Sequence, residues 1–137
     1  MSAILIDTHV YIWYVNGSEE LSKASQKTLT SAMHNNEAHL AAISLWEISM
    51  LYSRQKILLN QPCLNWIQHS LQAPGIYLME LTPEIVVDSC SLPNDFHGDP
   101  ADRIITSTAR ILSVPLMTRD QKILNYGQQG FLECIKA

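Results

Sequence analysis

The sequence predicts an α/β fold on a mainly parallel sheet, and three observations predict it. Short apolar runs alternate with helix-like patterns along the chain. Turn and helix-start chemistry falls between them, at Asn16-Gly17, Pro74-Gly75, Thr82-Pro83 and Asp99-Pro100. Acidic residues stand where an apolar strand hands over to an amphipathic helix. In an open parallel sheet such junctions meet outside the carboxyl ends of the strands, where ligands bind.

Taken in order, residues 3–6 (Ala3-Ile4-Leu5-Ile6) form the first apolar strand. Residues 21–33 carry Leu21, Ala24, Leu29, Ala32 and Met33 at helical spacing. A strand over 39–43 leads into a helix over 44–55 with apolar Leu45, Ile48 and Tyr52. Residues 63–71 make a short amphipathic helix that Pro62 can start. Residues 76–81 read as a strand, and Thr82-Pro83-Glu84 as an N-cap with proline at the first helical position. Asp99-Pro100 opens another helix, with Ile104, Ile105, Thr108, Ile111 and Leu112. The strand over 114–118 precedes a helix over 121–126, closed by Gly127 as C-cap. A last, weakly marked strand covers 131–135. There is no internal repeat, low-complexity tract or long linker, and 137 residues suit one domain over 1–137.

Bulk composition bounds the function. With 47% apolar and 16% charged residues the chain is globular and not disordered. The net charge of −4 and the lack of a basic stripe argue against non-specific nucleic-acid binding. A nucleic-acid substrate would need divalent metal and a few local cations. Cys63, Cys90 and Cys134 are odd in number, far apart and without finger spacing, which predicts reduced, buried thiols in a cytoplasmic protein. Neither a signal peptide nor a membrane-length apolar run is expected.

The chemistry rests on Asp7, Glu47, Asp99, Asp102 and Asp120. Carboxylates gathered at one sheet edge repel unless they are protonated or hold a cation. Oxygen-only ligands suit Mg²⁺ or Mn²⁺. Each acid also has a plain structural role. Ser44-x-x-Glu47 matches a capping box, Asp99 and Asp120 match N-caps, and Asp102 complements a helix dipole. As a set they are harder to explain that way. Asp102 repeats a charge already supplied by Asp99 one turn earlier. Asp7 follows Ile4-Leu5-Ile6 directly, where a carboxylate is expensive unless paired or metal-bound. A buried pair with Arg103 or Arg119 is the competing explanation. Thr8, Ser44, Thr106 and Thr118 lie beside the acids and can orient them. His9 is two residues from Asp7 and can approach the cleft, and His97 can touch phosphate. The absence of HExxH disfavours zinc hydrolysis. Tyr11, Trp13, Tyr14 and Trp46 read as core or interface residues, and Arg54 and Lys56 as a solvated face.

Four motifs now stand in order: Leu5-Ile6-Asp7-Thr8-His9, Ile43-Ser44-Leu45-Trp46-Glu47-Ile48, His97 to Ile105, and Leu116-Met117-Thr118-Arg119-Asp120. In these the chain resembles the PIN-domain ribonucleases, specifically the VapC-type toxins of prokaryotic toxin–antitoxin pairs. The resemblance spans essentially the whole chain. It implies a three-layer α/β/α sandwich, an acidic Mg²⁺ or Mn²⁺ site and endonucleolytic cleavage of RNA. Asp7, Glu47, Asp102 and Asp120 match the active-site acids, Asp7 and Asp102 being the expected direct metal ligands. Asp99, Thr8, Thr106 and Thr118 would support them. Leu51 stands where many relatives carry lysine, and Ala101 replaces a common phenylalanine. Neither departure removes an acid. Hydrolysis by this scheme leaves a 5′-phosphate and a 3′-hydroxyl.

The implied partners are an RNA substrate, a cognate antitoxin entering the acidic cleft, and a second copy of the chain in a homodimer or larger assembly. No membrane partner is implied. Two other classes compete. A phosphotransfer receiver needs paired acids at its first strand end, and here Asp7 is single. A non-catalytic PIN-fold interaction protein is the stronger rival, opposed by the intact acidic set.

Overall fold

The computed structural model describes residues 3–137. The first half contains β1 (Ile4–Ile6), α1 (Thr8–Asn16), α2 (Lys23–His34), β2 (Ala38–Ala41), α3 (Ile43–Ser53) and α4 (Cys63–Leu71). The second contains β3 (Ile76–Met79), α5 (Pro83–Cys90), α6 (Pro100–Leu112), β4 (Leu116–Thr118), α7 (Gln121–Gln128) and β5 (Cys134–Lys136). The strands form one sheet in the order β3-β2-β1-β4-β5, with every pairing parallel. The order reverses on either side of β1, so the crevice between β1 and β4 is the switch point of the sheet.

Side-chain alternation builds the layers. Ile4 and Ile6 point to one face and Leu5 to the other, all nearly inaccessible. On the first face they join Val10, Tyr11 and Ile12 of α1, Leu29 and Ala32 of α2, Ile48 of α3 and Trp66 of α4. On the second, Leu5 joins Ile105 and Ala109 of α6 with Ile123 and Tyr126 of α7. The result is the expected three-layer α/β/α arrangement. Burial on both faces explains why the central strands read as unbroken apolar runs.

Several boundaries differ from the expectation. The strands are shorter than their apolar runs. β2 starts at Ala38 and ends at Ala41, and β5 starts three residues later and ends one residue later than expected. Leu21 is buried just ahead of α2, whose N-cap is Ser22 accepting from the Ser25 amide. The sequence sets no bounds for α1, the helix after Asp7, whose apolar residues come almost without a polar break and show no amphipathic stripe. Gly127 does not cap α7, which continues to Gln128. A Cβ at Gly127 would stand 2.7 Å from the Cys134 sulfur, so glycine lets this helix lie against β5. All three cysteines are free, but Cys90, at the end of α5, is exposed. Trp46 is neither core nor packed: it is 56% exposed on α3.

Candidate active site

The carboxyl ends of the central strands deliver the acids. Asp7 directly follows β1, and Thr118 closes β4 two residues before Asp120. Glu47 comes from the second turn of α3, and Asp99 and Asp102 from the start of α6. One carboxylate oxygen from each of Glu47, Asp99 and Asp102 lies within 4.8 Å of the others. Asp7 and Asp120 are not part of that close group, but the charges of both reach Asp102.

Three of the acids are helix caps and cleft residues at once. Asp7 Oδ1 accepts from the Thr8 amide at 2.8 Å. Asp99 Oδ1 accepts from the Asp102 amide at 2.8 Å. Asp120 Oδ1 accepts from the Lys122 and Ile123 amides at 2.8 and 3.3 Å. At Asp99 and Asp120 the second oxygen is left for the cleft. Gly98 lets the loop before Asp99 close in, because a Cβ there would stand 2.8 Å from the Asp102 Cβ.

The capping box expected at Ser44 and Glu47 does not form. α3 begins one residue earlier, at Ile43, and its N-cap Ala42 makes no side-chain bond. Ser44 instead accepts from the Thr8 hydroxyl at 2.9 Å, tying α3 to α1 beneath the cleft. Thr118 donates to Asp7 Oδ2 at 2.6 Å and accepts from the Asp120 amide at 3.0 Å, so one hydroxyl orients two acids. The Thr106 hydroxyl, one turn after Asp102, is buried without a partner among the described residues.

Among the described residues no arginine or lysine is paired with the cluster, and the charge of His9 is what opposes Asp7 and Glu47 from nearby. Arg103 donates to the carbonyls of Ser89 and Phe96, and Arg119 pairs with Glu20. The anticipated partnership of either arginine with Asp7 is therefore absent. Ion pairs among the described residues are Arg110–Asp88 and Arg119–Glu20, neither of which touches the acids. Burial pushes the Asp7 carboxyl above its ordinary range, against the opposing bonds from Thr118 and Thr8. Burial also raises Glu47, and Asp7 and Asp99 add to it. Asp102 is pushed up to about 7, first by burial and then by Asp99, Asp120, Asp7 and Glu47. Acids held this far from their preferred ionisation suit a cation-binding or proton-handling site. An all-oxygen donor set with no arginine or lysine paired to it fits a hard divalent ion.

Sequence reasoning missed what surrounds His9. Its ring lies 6.1 Å from that of Trp13, and the Arg119 guanidinium sits 4.6 Å from the Trp13 centroid. The four-residue spacing of His9 and Trp13, which places both on one helical face, was the available signal.

A family model described as "PIN domain" matches residues 4–128. Ribonuclease VapC22 of Mycobacterium tuberculosis is 32% identical over 126 residues, covering 92% of this chain and 93% of that protein. Among solved structures, VapBC2 from Rickettsia felis bound to a DNA fragment from their promoter aligns with a TM-score of 0.70. Identity is 13%, with 97% of each chain covered. DNA-bound VapBC from Salmonella typhimurium aligns at 0.71, with 11% identity and 98% of each chain covered. Motif order, sheet topology and these likenesses converge: the chain belongs to the PIN-domain family, in its VapC-type branch.

Proposed function

We propose that this chain is a single-domain, divalent-metal-dependent endoribonuclease, the toxin of a type II toxin–antitoxin pair. The observation that carries the reading is the cluster of Glu47, Asp99 and Asp102, with Asp7 and Asp120 within its field and no arginine or lysine of the described residues paired to it. Similarity to a protein named a ribonuclease supports RNA as the substrate. Likeness to VapBC assemblies supports a cognate antitoxin, and a toxin homodimer or larger assembly belongs to the same reading. RNA as substrate makes the cytoplasm the compartment of action.

In this reading Asp7, Glu47, Asp102 and Asp120 hold Mg²⁺ or Mn²⁺, with Asp99 beside them. The bound ion supplies Lewis-acid charge and lowers the pKa of water for in-line hydrolysis of a phosphodiester. The chain's own work is orientation. Thr118 fixes Asp7 and, through the Asp120 amide, the turn carrying Asp120. Thr8 and Ser44 lock the base of α1 to α3, and with it the approach of Glu47 to Asp7. Thr106 has a free hydroxyl to offer Asp102 or ordered water.

The test uses antitoxin-free protein, total RNA, and Mg²⁺, Mn²⁺ or EDTA, with the new 5′ ends sequenced. Discrete metal-dependent cuts bearing 5′-phosphates should appear, and Asp7→Asn should abolish them while keeping its circular dichroism. A folded protein that neither cuts RNA nor binds metal would instead favour the non-catalytic interaction reading. Thr118→Val removes the orienting hydroxyl with little change of shape. It should lower cleavage by about ten- to a hundredfold, the usual cost of losing a ligand-orienting group. Unchanged turnover in that variant would show that Thr118 only caps a strand.

A further inference from the structure

Beside the acidic cleft, three side chains form a connected group that the metal-site reading leaves unused. His9 lies in the first turn of α1 and is exposed. Its charge reaches both Asp7 and Glu47, so its ring stands at the mouth of the cleft. Trp13 follows one helical turn later on the same face, half-buried, its ring 6.1 Å from His9 and tilted by 51°. Arg119, between Thr118 and Asp120, sets its guanidinium 4.6 Å from the Trp13 centroid. Arg119 is in turn anchored by the carbonyls of Glu20 and Ala137 and by the Glu20 carboxylate at 3.7 Å.

A single strand of RNA is held either by neutralising its phosphates or by stacking its bases. This chain carries a net charge of −4, and the Arg119 beside the cleft is already paired with Glu20. Phosphate neutralisation by the chain is therefore weak at this rim. What the rim offers is aromatic surface: an exposed imidazole steadied by an indole that an arginine braces. Imidazole and indole rings are both stacking partners for unpaired bases.

We propose that His9 and Trp13 form a stacking subsite for an unpaired nucleobase of the RNA flanking the scissile phosphate, with Arg119 as the positioning residue for Trp13. This deepens the endoribonuclease reading and rests on it. His9 supplies the outer face that the base covers. Trp13 fixes the angle of that face, and Arg119 keeps Trp13 from turning into the cleft.

The test measures binding of fluorescein-labelled, single-stranded oligouridylate and oligoadenylate hexamers by anisotropy, with Ca²⁺ in place of Mg²⁺. His9→Ala should weaken binding about tenfold, as expected for the loss of one stacked base. His9→Phe, which keeps a flat ring and discards the nitrogens, should return affinity to within about twofold of the parent. On the RNA cut by the parent protein, the His9→Ala loss should appear mainly in KM. A merely structural histidine would lower the melting temperature and leave KM where it was. Equal binding by His9→Ala overturns the subsite, as does failure of His9→Phe to restore it. If the unsubstituted protein neither binds nor cuts RNA, the endoribonuclease reading fails and the subsite with it. Cutting by the parent with no effect of His9→Ala sinks the subsite alone.

Discussion

Asp102→Asn is expected to reduce RNA cleavage by about a thousandfold or more while making the metal-free protein more stable. Both effects come from one geometry. Asp102 sits in the first turn of α6, close to Glu47 and Asp99 and within the field of Asp7 and Asp120. On the proposed function, removing its charge would take away a cation ligand, and bound-metal charge stabilisation is worth several kcal/mol in such reactions. At 1.36 kcal/mol per factor of ten, that is about three orders of magnitude. In the absence of metal the same charge is a liability, repelled by four neighbours and half-removed from water. Asparagine keeps the shape and drops the repulsion. The melting temperature in EDTA near neutral pH should rise by roughly 5 °C. Paired cleavage and thermal-melt measurements check both. A variant that loses activity but also melts lower in EDTA would mean that Asp102 serves the fold and not a metal ion.

The fold was legible because its signals are local. Ile4-Leu5-Ile6 must be buried on both faces, and such a strand belongs to a parallel sheet covered by helices on each side. Thr82-Pro83 and Asp99-Pro100 mark helix starts by a side-chain acceptor followed by a residue with no amide hydrogen. The element whose bounds the sequence leaves open is α1, because a helix inserted between sheet and solvent, with apolar residues on most sides, has no period to mark its ends. Gly127 misled for a different reason. Glycine ends helices, but it also appears where a helix must approach a strand closely, and only the position of Cys134 separates the two.

The candidate site was legible as a set of acids and illegible as a geometry. Capping and cleft chemistry looked like rivals at Asp99 and Asp120, yet a carboxylate has two oxygens. At Asp99 and Asp120 one oxygen caps the helix and the other is left over. At Asp7 both are engaged, by the Thr8 amide and the Thr118 hydroxyl, each retaining acceptor capacity. At Ser44 the motif pointed to the wrong bond. Three-residue spacing matches a capping box only if Ser44 is the N-cap and the helix starts at Leu45. Here it starts at Ile43, which frees the Ser44 hydroxyl for Thr8, 36 positions away in sequence. Arg103 and Arg119 are absent from the cluster because backbone carbonyls and Glu20 claim their donors. No spacing rule encodes such long-range choices.

The second large effect is a coupling between pH, metal and stability. Asp102 titrates at about 7 in the folded protein, against an ordinary value of 3.8, and Asp7 and Glu47 are displaced in the same direction. Between about pH 4 and about pH 7 the folded chain thus holds more protons than the unfolded chain. Stability must fall as pH rises through that window, the reverse of a carboxylate held in an ion pair. Metal binding runs the other way, because the ligands must be deprotonated to coordinate. The melting temperature in EDTA should therefore decline from about pH 5 to about pH 8, by roughly 5 °C or more. Saturating Mn²⁺ should cancel that decline: about 2.7 kcal/mol is gained at a hundredfold excess over the dissociation constant. The two melting curves should converge in acid and separate towards neutrality, and Asp102→Asn should flatten the metal-free curve and narrow the separation. A metal-free melting temperature that rises with pH would require a cation hidden among these acids. No arginine or lysine of the described residues is paired with them, which argues against one. Cleavage should follow the same titration, since the protonation that relieves the metal-free fold is the one that blocks the site. A fold made less stable by its own acids as they ionise, and restored by an ion, is what the proposed cation site requires of negative charge gathered in one place.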